Sequence, residues 1–218
     1  MSIGESVNWS RQQSLGEEIA NGISHGVGVL AALALTPILI IASIPKGAAA
    51  ITGVSIFCGT AVLLYLASTL YHVLPWGRAK RVFQIFDHSA IFLLIAGTYT
   101  PFTLTVLAGA WGWSLFGIVW GLAVLGVVMK SIHTNGTSKL SIALYLGMGW
   151  LALIAAKPLY DGMSAWGLVW LLGGGIMYSI GVMFFAYDHR VRYNHFIWHL
   201  FVLAGTGCHV VAVYNAAA

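Results

Sequence analysis

A bundle of seven membrane-spanning helices is the fold this sequence predicts, and three observations carry the prediction. The chain is 59% hydrophobic and only 7% charged, whereas soluble domains run at about 25% charged. Its apolar residues fall into seven runs, each close to the roughly 20 residues a helix needs to cross a hydrocarbon core. Its lysines and arginines crowd into alternate gaps between those runs. A mean hydropathy of +0.87 agrees, and the 26 Gly and 9 Trp suit close helix packing and interfacial anchoring.

The elements follow in order. Residues 1–22 are polar, with Glu5, Asn8, Arg11, Glu17 and Glu18, and lack the charged start, apolar stretch and small-residue cleavage site of a signal peptide. They read as a retained cytoplasmic segment preceding a seven-helix domain over 23–218. The first run covers 23–44 and stops at Pro45-Lys46-Gly47; the second covers 51–74 and stops at Pro75-Trp76-Gly77-Arg78. The third, 88–109, carries Gly97-Thr98-Tyr99-Thr100-Pro101, where proline removes a backbone donor and bends the helix. Such a bend shapes a cavity or serves local packing. The fourth covers 111–130, the fifth 139–157, the sixth 166–187 and the seventh 195–215. Gly173-Gly174-Gly175 lies inside the sixth, where close helix packing explains it better than a nucleotide loop. Cys58 and Cys208 are too few for a disulfide framework and read as small buried thiols.

Arg11, Arg78, Lys80, Arg81, Lys130, Lys139, Arg190 and Arg192 fall on one side of such a bundle, against Lys46 and Lys157 on the other. Positive residues mark the cytoplasmic side, so the amino terminus is expected inside, the carboxyl terminus outside, and the protein in the inner (plasma) membrane. The net charge of +4 is therefore a topology signal, and nothing in it suggests nucleic-acid binding.

Ionisable residues inside spans are costly and mark functional sites by default. With that topology, Ser68-Thr-Leu-Tyr-His72 ends the second helix at the cytoplasmic side, while Asp87-His88-Ser89 and His195-Phe-Ile-Trp-His199 start the third and seventh there. His195 and His199 are four apart and share one helix face, as do Ser68 and His72. His72 would complete a set of three imidazoles, leaving the fourth tetrahedral position to water, as in catalytic zinc sites. Copper, nickel and iron also accept imidazole, so zinc is the preferred reading rather than the only one. The seventh helix lacks the glutamate of a metalloprotease helix. Asp87, the one acidic residue at this depth, could take a proton from an activated water, and Ser68 could hold that water or a substrate carbonyl.

Plainer roles stay open. Asp87 also suits an N-cap of the third helix, and Ser68 can bond its own helix backbone. His88 points about 100° round the helix from Asp87. His25 reads as packing or as a neighbour of the ligands. His209 lies too far along the seventh helix to reach the same metal, and His133 and His189 fall in loops.

Glu17-Glu18-Ile-Ala-Asn-Gly-Ile-Ser-His25-Gly, Ser68-Thr-Leu-Tyr-His72, Phe86-Asp87-His88-Ser-Ala-Ile, Ala96-Gly-Thr-Tyr-Thr-Pro101 and Asn194-His195-Phe-Ile-Trp-His199 together resemble the bacterial hemolysin III proteins. Those are relatives of the adiponectin and progestin receptors. The resemblance covers nearly the whole chain. It implies seven helices, a cytoplasmic amino terminus, and zinc bound by His72, His195 and His199 with Asp87 and Ser68 beside the water that the metal activates. Activity does not follow from fold alone. Three functions compete: an intramembrane zinc hydrolase of lipid amide or ester bonds, a receptor-like sensor in which zinc staples helices, and a pore-forming cytolysin. The spans offer no repeated row of charged or amide residues to line a pore. Membrane lipids are the expected partners.

Overall fold

A computed structural model describes residues 13–132 and 139–217, so Arg11, His133 and the Asn135-Gly136 break lie outside the described residues. Every element is helical: α1 (Leu15–Ser43), α2 (Ala48–Val73), α3 (Arg78–Leu104), α4 (Ala110–Ile132), α5 (Lys139–Trp150), α6 (Ala156–Gly162), α7 (Ala165–Ala186) and α8 (Asn194–Ala217). Seven stretches are long and apolar enough to span a membrane, with α5, a 3₁₀ turn at Leu151–Ala155 and α6 together making the fifth. The multi-pass architecture expected from the apolar runs is therefore the one observed.

Two helices begin two turns or more ahead of their apolar runs. Glu17 and Glu18 lie inside α1, because Ser14 accepts from the Glu17 backbone N–H while the Glu17 carboxylate accepts from the Ser14 N–H, a reciprocal capping box. Likewise α3 starts at Arg78 with Gly77 at its N-cap, so Asp87 sits within the helix and does not cap it. A helix can extend past the hydrocarbon into the interface wherever polar side chains carry its outer turns, and the exposed Arg78 and Arg81 suit such a turn.

The fifth span is broken rather than continuous. Pro158, near the start of α6, cannot donate and crowds the carbonyl four residues earlier. In a membrane, freed backbone groups need partners from the protein itself. At the start of the break Tyr99 of α3 supplies one: its hydroxyl lies 2.8 Å from both the Met148 and Gly149 carbonyls and accepts from Ala152 N–H at 2.9 Å.

Helices α2 and α3 pack closely around Pro101, which lies inside α3. A Cβ on Gly53 would meet Pro101 Cα at 2.8 Å, and one on Gly97 would collide with the Thr60 hydroxyl. Thr98 and Thr100 turn their hydroxyls back onto the Leu94 and Ala96 carbonyls. The Gly173-Gly175 stretch packs as expected, Gly174 lying against the imidazole of His209. Cys58 and Cys208 are both free thiols.

Candidate metal centre

At one end of the bundle α2 and α8 bring His72, His195 and His199 together. All three are buried, and one ring nitrogen from each lies within 4.8 Å of the other two. Each Nδ1 is already engaged. Glu18 meets His72 Nδ1 at 2.7 Å and Asp188 meets His195 Nδ1 at 3.0 Å. His199 Nδ1 faces the Asn21 carbonyl at 3.3 Å and the Ser24 hydroxyl at 3.1 Å, while Ser24 itself donates to Asn21 O at 2.8 Å. Carboxylates and carbonyls only accept, so each imidazole carries its proton on Nδ1 and presents the Nε2 lone pair. Such outer partners are what orient metal-binding histidines. His72 Nε2 is buried without a hydrogen bond, a costly state that a metal would relieve. The three residues fit a divalent transition metal.

Two more side chains border the triad. Ser68, one turn before His72, is fully buried, and its hydroxyl is turned to Asp87 rather than bonded to its own helix. Asp87 lies beside Ser68 and His195. With His25, His195 and His199 it lines a small cavity of about 10 Å³, about the room one water needs. His25 stacks face to face on His199, with ring centroids 3.6 Å apart and both its nitrogens unpartnered. His88 lines the same small cavity but is outside the convergent set. His209 lies elsewhere, its Nε2 3.2 Å from the Leu171 carbonyl, and His189 accepts from Arg190 at an exposed loop.

Sequence reasoning offered His25 as a neighbour of the ligands but missed the rest of the first turns of α1. Glu18, Asn21, Ser24 and His25 reach the ligands, and Glu17 accepts from Tyr193 N–H at 2.9 Å just before α8. Their spacing of three or four was the available signal, because it puts them on one helix face. Asp188 was missed because it lies in a loop.

A much larger cavity, about 700 Å³, adjoins the site. Leu64, Ile91, Trp198 and Val202 form a wall common to both spaces. Thr98, Tyr99 and Phe102, around Pro101 of α3, line it, so this stretch packs against α2 and borders a cavity as well.

Comparison with known proteins adds the family. The model of the family described as Haemolysin-III related matches residues 13–210. The chain belongs to the haemolysin III family. It is 45% identical to Hemolysin-3 of Bacillus cereus over 195 residues, covering 89% of each chain. It is 46% identical to the Hemolysin-3 homolog of Bacillus subtilis (strain 168) over 191 residues, 87% of this chain and 89% of that one. A more distant likeness, 26% over 157 residues, links this haemolysin III protein to the human Monocyte to macrophage differentiation factor, covering 70% of this chain and 65% of the human one. No solved structure matches.

Proposed function

We propose that this haemolysin III protein is an intramembrane zinc hydrolase of lipid amide or ester bonds, working near the cytoplasmic face of the plasma membrane. The observation that carries the reading is the meeting of two spaces: a triad of imidazoles beside a buried serine and a buried aspartate, against an apolar cavity of about 700 Å³. Cavities of some 300–1,000 Å³ take ligands of small-molecule size, and an apolar lining suits a lipid chain. Eight of the ten Lys and Arg residues support the orientation.

In this reading His72, His195 and His199 hold the zinc. When bound, it supplies Lewis-acid polarisation of a carbonyl and acidifies a water. Asp87 accepts a proton from the attacking water and returns it to the leaving nitrogen or oxygen as the carbonyl carbon's bond to it breaks. Ser68 donates a hydrogen bond to the carbonyl oxygen. The Nδ1 partners keep the imidazoles aimed.

The test is zinc per chain in gently purified protein, for wild type and for His72→Ala. One zinc in the wild type and little in the variant is expected, with chelation lowering the melting temperature of the wild type alone. Turnover of labelled ceramides and phospholipids then separates enzyme from sensor: a zinc that stabilises without any hydrolysis means a structural staple. The name Hemolysin-3 borne by a relative points to lysis. Hydrolysis of membrane lipid is one route to it, and conductance of the pure protein in planar bilayers would favour a pore instead.

A further inference from the structure

Lys80 is an unusual residue to find where it is. Its side chain is only 2% exposed, beside a candidate metal site inside a membrane protein. A buried ammonium needs dedicated partners, and it has them. Nζ lies 3.1 Å from Glu18 Oε1 and donates to the Tyr71 carbonyl at 2.8 Å and the His72 carbonyl at 3.5 Å. It also sits over the Tyr71 ring, 4.8 Å from its centroid. The other Glu18 oxygen, Oε2, meets His72 Nδ1 at 2.7 Å. One carboxylate therefore joins a buried cation to a ligand imidazole.

The other histidines are held differently. Asp188, behind His195, is 28% exposed and has no Lys or Arg partner among the described residues. Neither has Asp87. His199 has only neutral partners, Asn21 O and Ser24 Oγ. So the three Nδ1 partners differ in kind: a carboxylate neutralised by a lysine, a carboxylate with no Lys or Arg partner among the described residues, and uncharged groups.

We propose that Glu18 and Lys80 act as one charge-neutral positioning unit for His72, so that a bound divalent ion is balanced by Asp87 and Asp188. Glu18 fixes the proton and angle of the His72 ring. Lys80 holds Glu18 in place and cancels its charge. Without Glu18, the buried ammonium faces the metal uncompensated, and Coulomb repulsion in a low-dielectric interior is strong. Without Lys80, the site gains a negative charge and a freer carboxylate, and those two effects oppose each other.

This rests on the metal centre proposed above, and a double-mutant cycle read by zinc affinity tests it. Wild type, Glu18→Gln, Lys80→Met and the double variant are titrated in detergent against a chromophoric chelator, with circular dichroism confirming helix content. Glu18→Gln should weaken zinc binding by about 10- to 100-fold, the range for outer-sphere partners. Lys80→Met should change it by about threefold or less, and the double variant should regain most of the loss. Wild-type affinity in Glu18→Gln, or equal losses in both single variants with no recovery, would overturn the unit and leave a brace between α1 and α3. Misfolding of Glu18→Gln leaves the comparison of Lys80→Met with the double variant, and a double variant far weaker than Lys80→Met overturns the idea. A wild type that binds no zinc overturns the metal centre and this inference with it.

Discussion

The space of about 10 Å³ among His25, Asp87, His195 and His199 and the cavity of about 700 Å³ between α3, α5, α6, α7 and α8 share a wall, but they are built differently. Around the small one, polar side chains come from four helices. Glu18, Asn21, Ser24 and His25 of α1, Ser68 and His72 of α2, Asp87 of α3 and the histidines of α8 are buried or nearly so, and most are tied to a named partner. Around the large one the lining is mostly aliphatic and aromatic, and most of its polar groups are occupied by their own backbone or neighbours. Tyr178 bonds Thr206, Ser179 bonds Gly175 O, and Tyr99 braces the broken fifth span. The difference teaches a division of labour. Precision is concentrated where orientation matters, since buried polar networks are rigid when satisfied. Volume is left open where only apolar contact is needed.

The sharpest way to break this comparison is at its polar end. Asp87→Asn keeps the size of the side chain but removes its capacity to take a proton. Zinc should still bind, more weakly for the lost charge, while turnover of any lipid substrate at saturating zinc falls by about 10²- to 10⁴-fold, the usual weight of a general base. Unchanged turnover would deny Asp87 its role and leave it as a buried structural carboxylate.

The two regions were also unequally legible in the sequence. Hydropathy marks spans because the bilayer demands about 20 apolar residues, and that demand leaves a pattern in the chain. His195 and His199, and Ser68 and His72, were legible because a spacing of four is a helical face. The inner turns of α1 were not, because Glu17 and Glu18 break the apolar run and read as a soluble segment. Only the partners that Glu18 finds on α2 and α3 explain why two acids fit there. Asp87 was readable as a cap because hydropathy places the third helix too late, whereas α3 starts at Arg78. The large cavity leaves no trace in sequence. It arises from how α5 and α6 break and stand off from α3 and α7, and missing packing has no residue pattern of its own.

A cavity-filling change probes the apolar end. Ile95 of α3 lines the large cavity and is partly buried. Ile95→Trp should occupy part of the lumen without touching His72, His195 or His199, so zinc stays bound. Hydrolysis of long-chain substrates should drop by about 10- to 100-fold against short-chain ones, as steric discrimination in an apolar pocket allows. An equal loss for both lengths would mean that the lumen does not receive the chain.

The smallest effect tests whether the seam behind both spaces is structural alone. Gly97 faces Thr60 so closely that an added Cβ would collide with the hydroxyl and lie 2.9 Å from Thr60 Cβ. Gly97→Ala gains helix propensity of somewhat under 1 kcal/mol but forces α2 and α3 apart, and overpacking costs about 1–3 kcal/mol. The net expectation is a modestly lower melting temperature in detergent, with zinc affinity unchanged. Thr60→Ala removes the hydroxyl and methyl that collide, so the double variant should recover part of the loss. If Gly97→Ala instead weakens zinc binding as strongly as Glu18→Gln, then strain at the α2–α3 seam reaches His72. The polar end would in that case owe its geometry to helix spacing as much as to its hydrogen bonds.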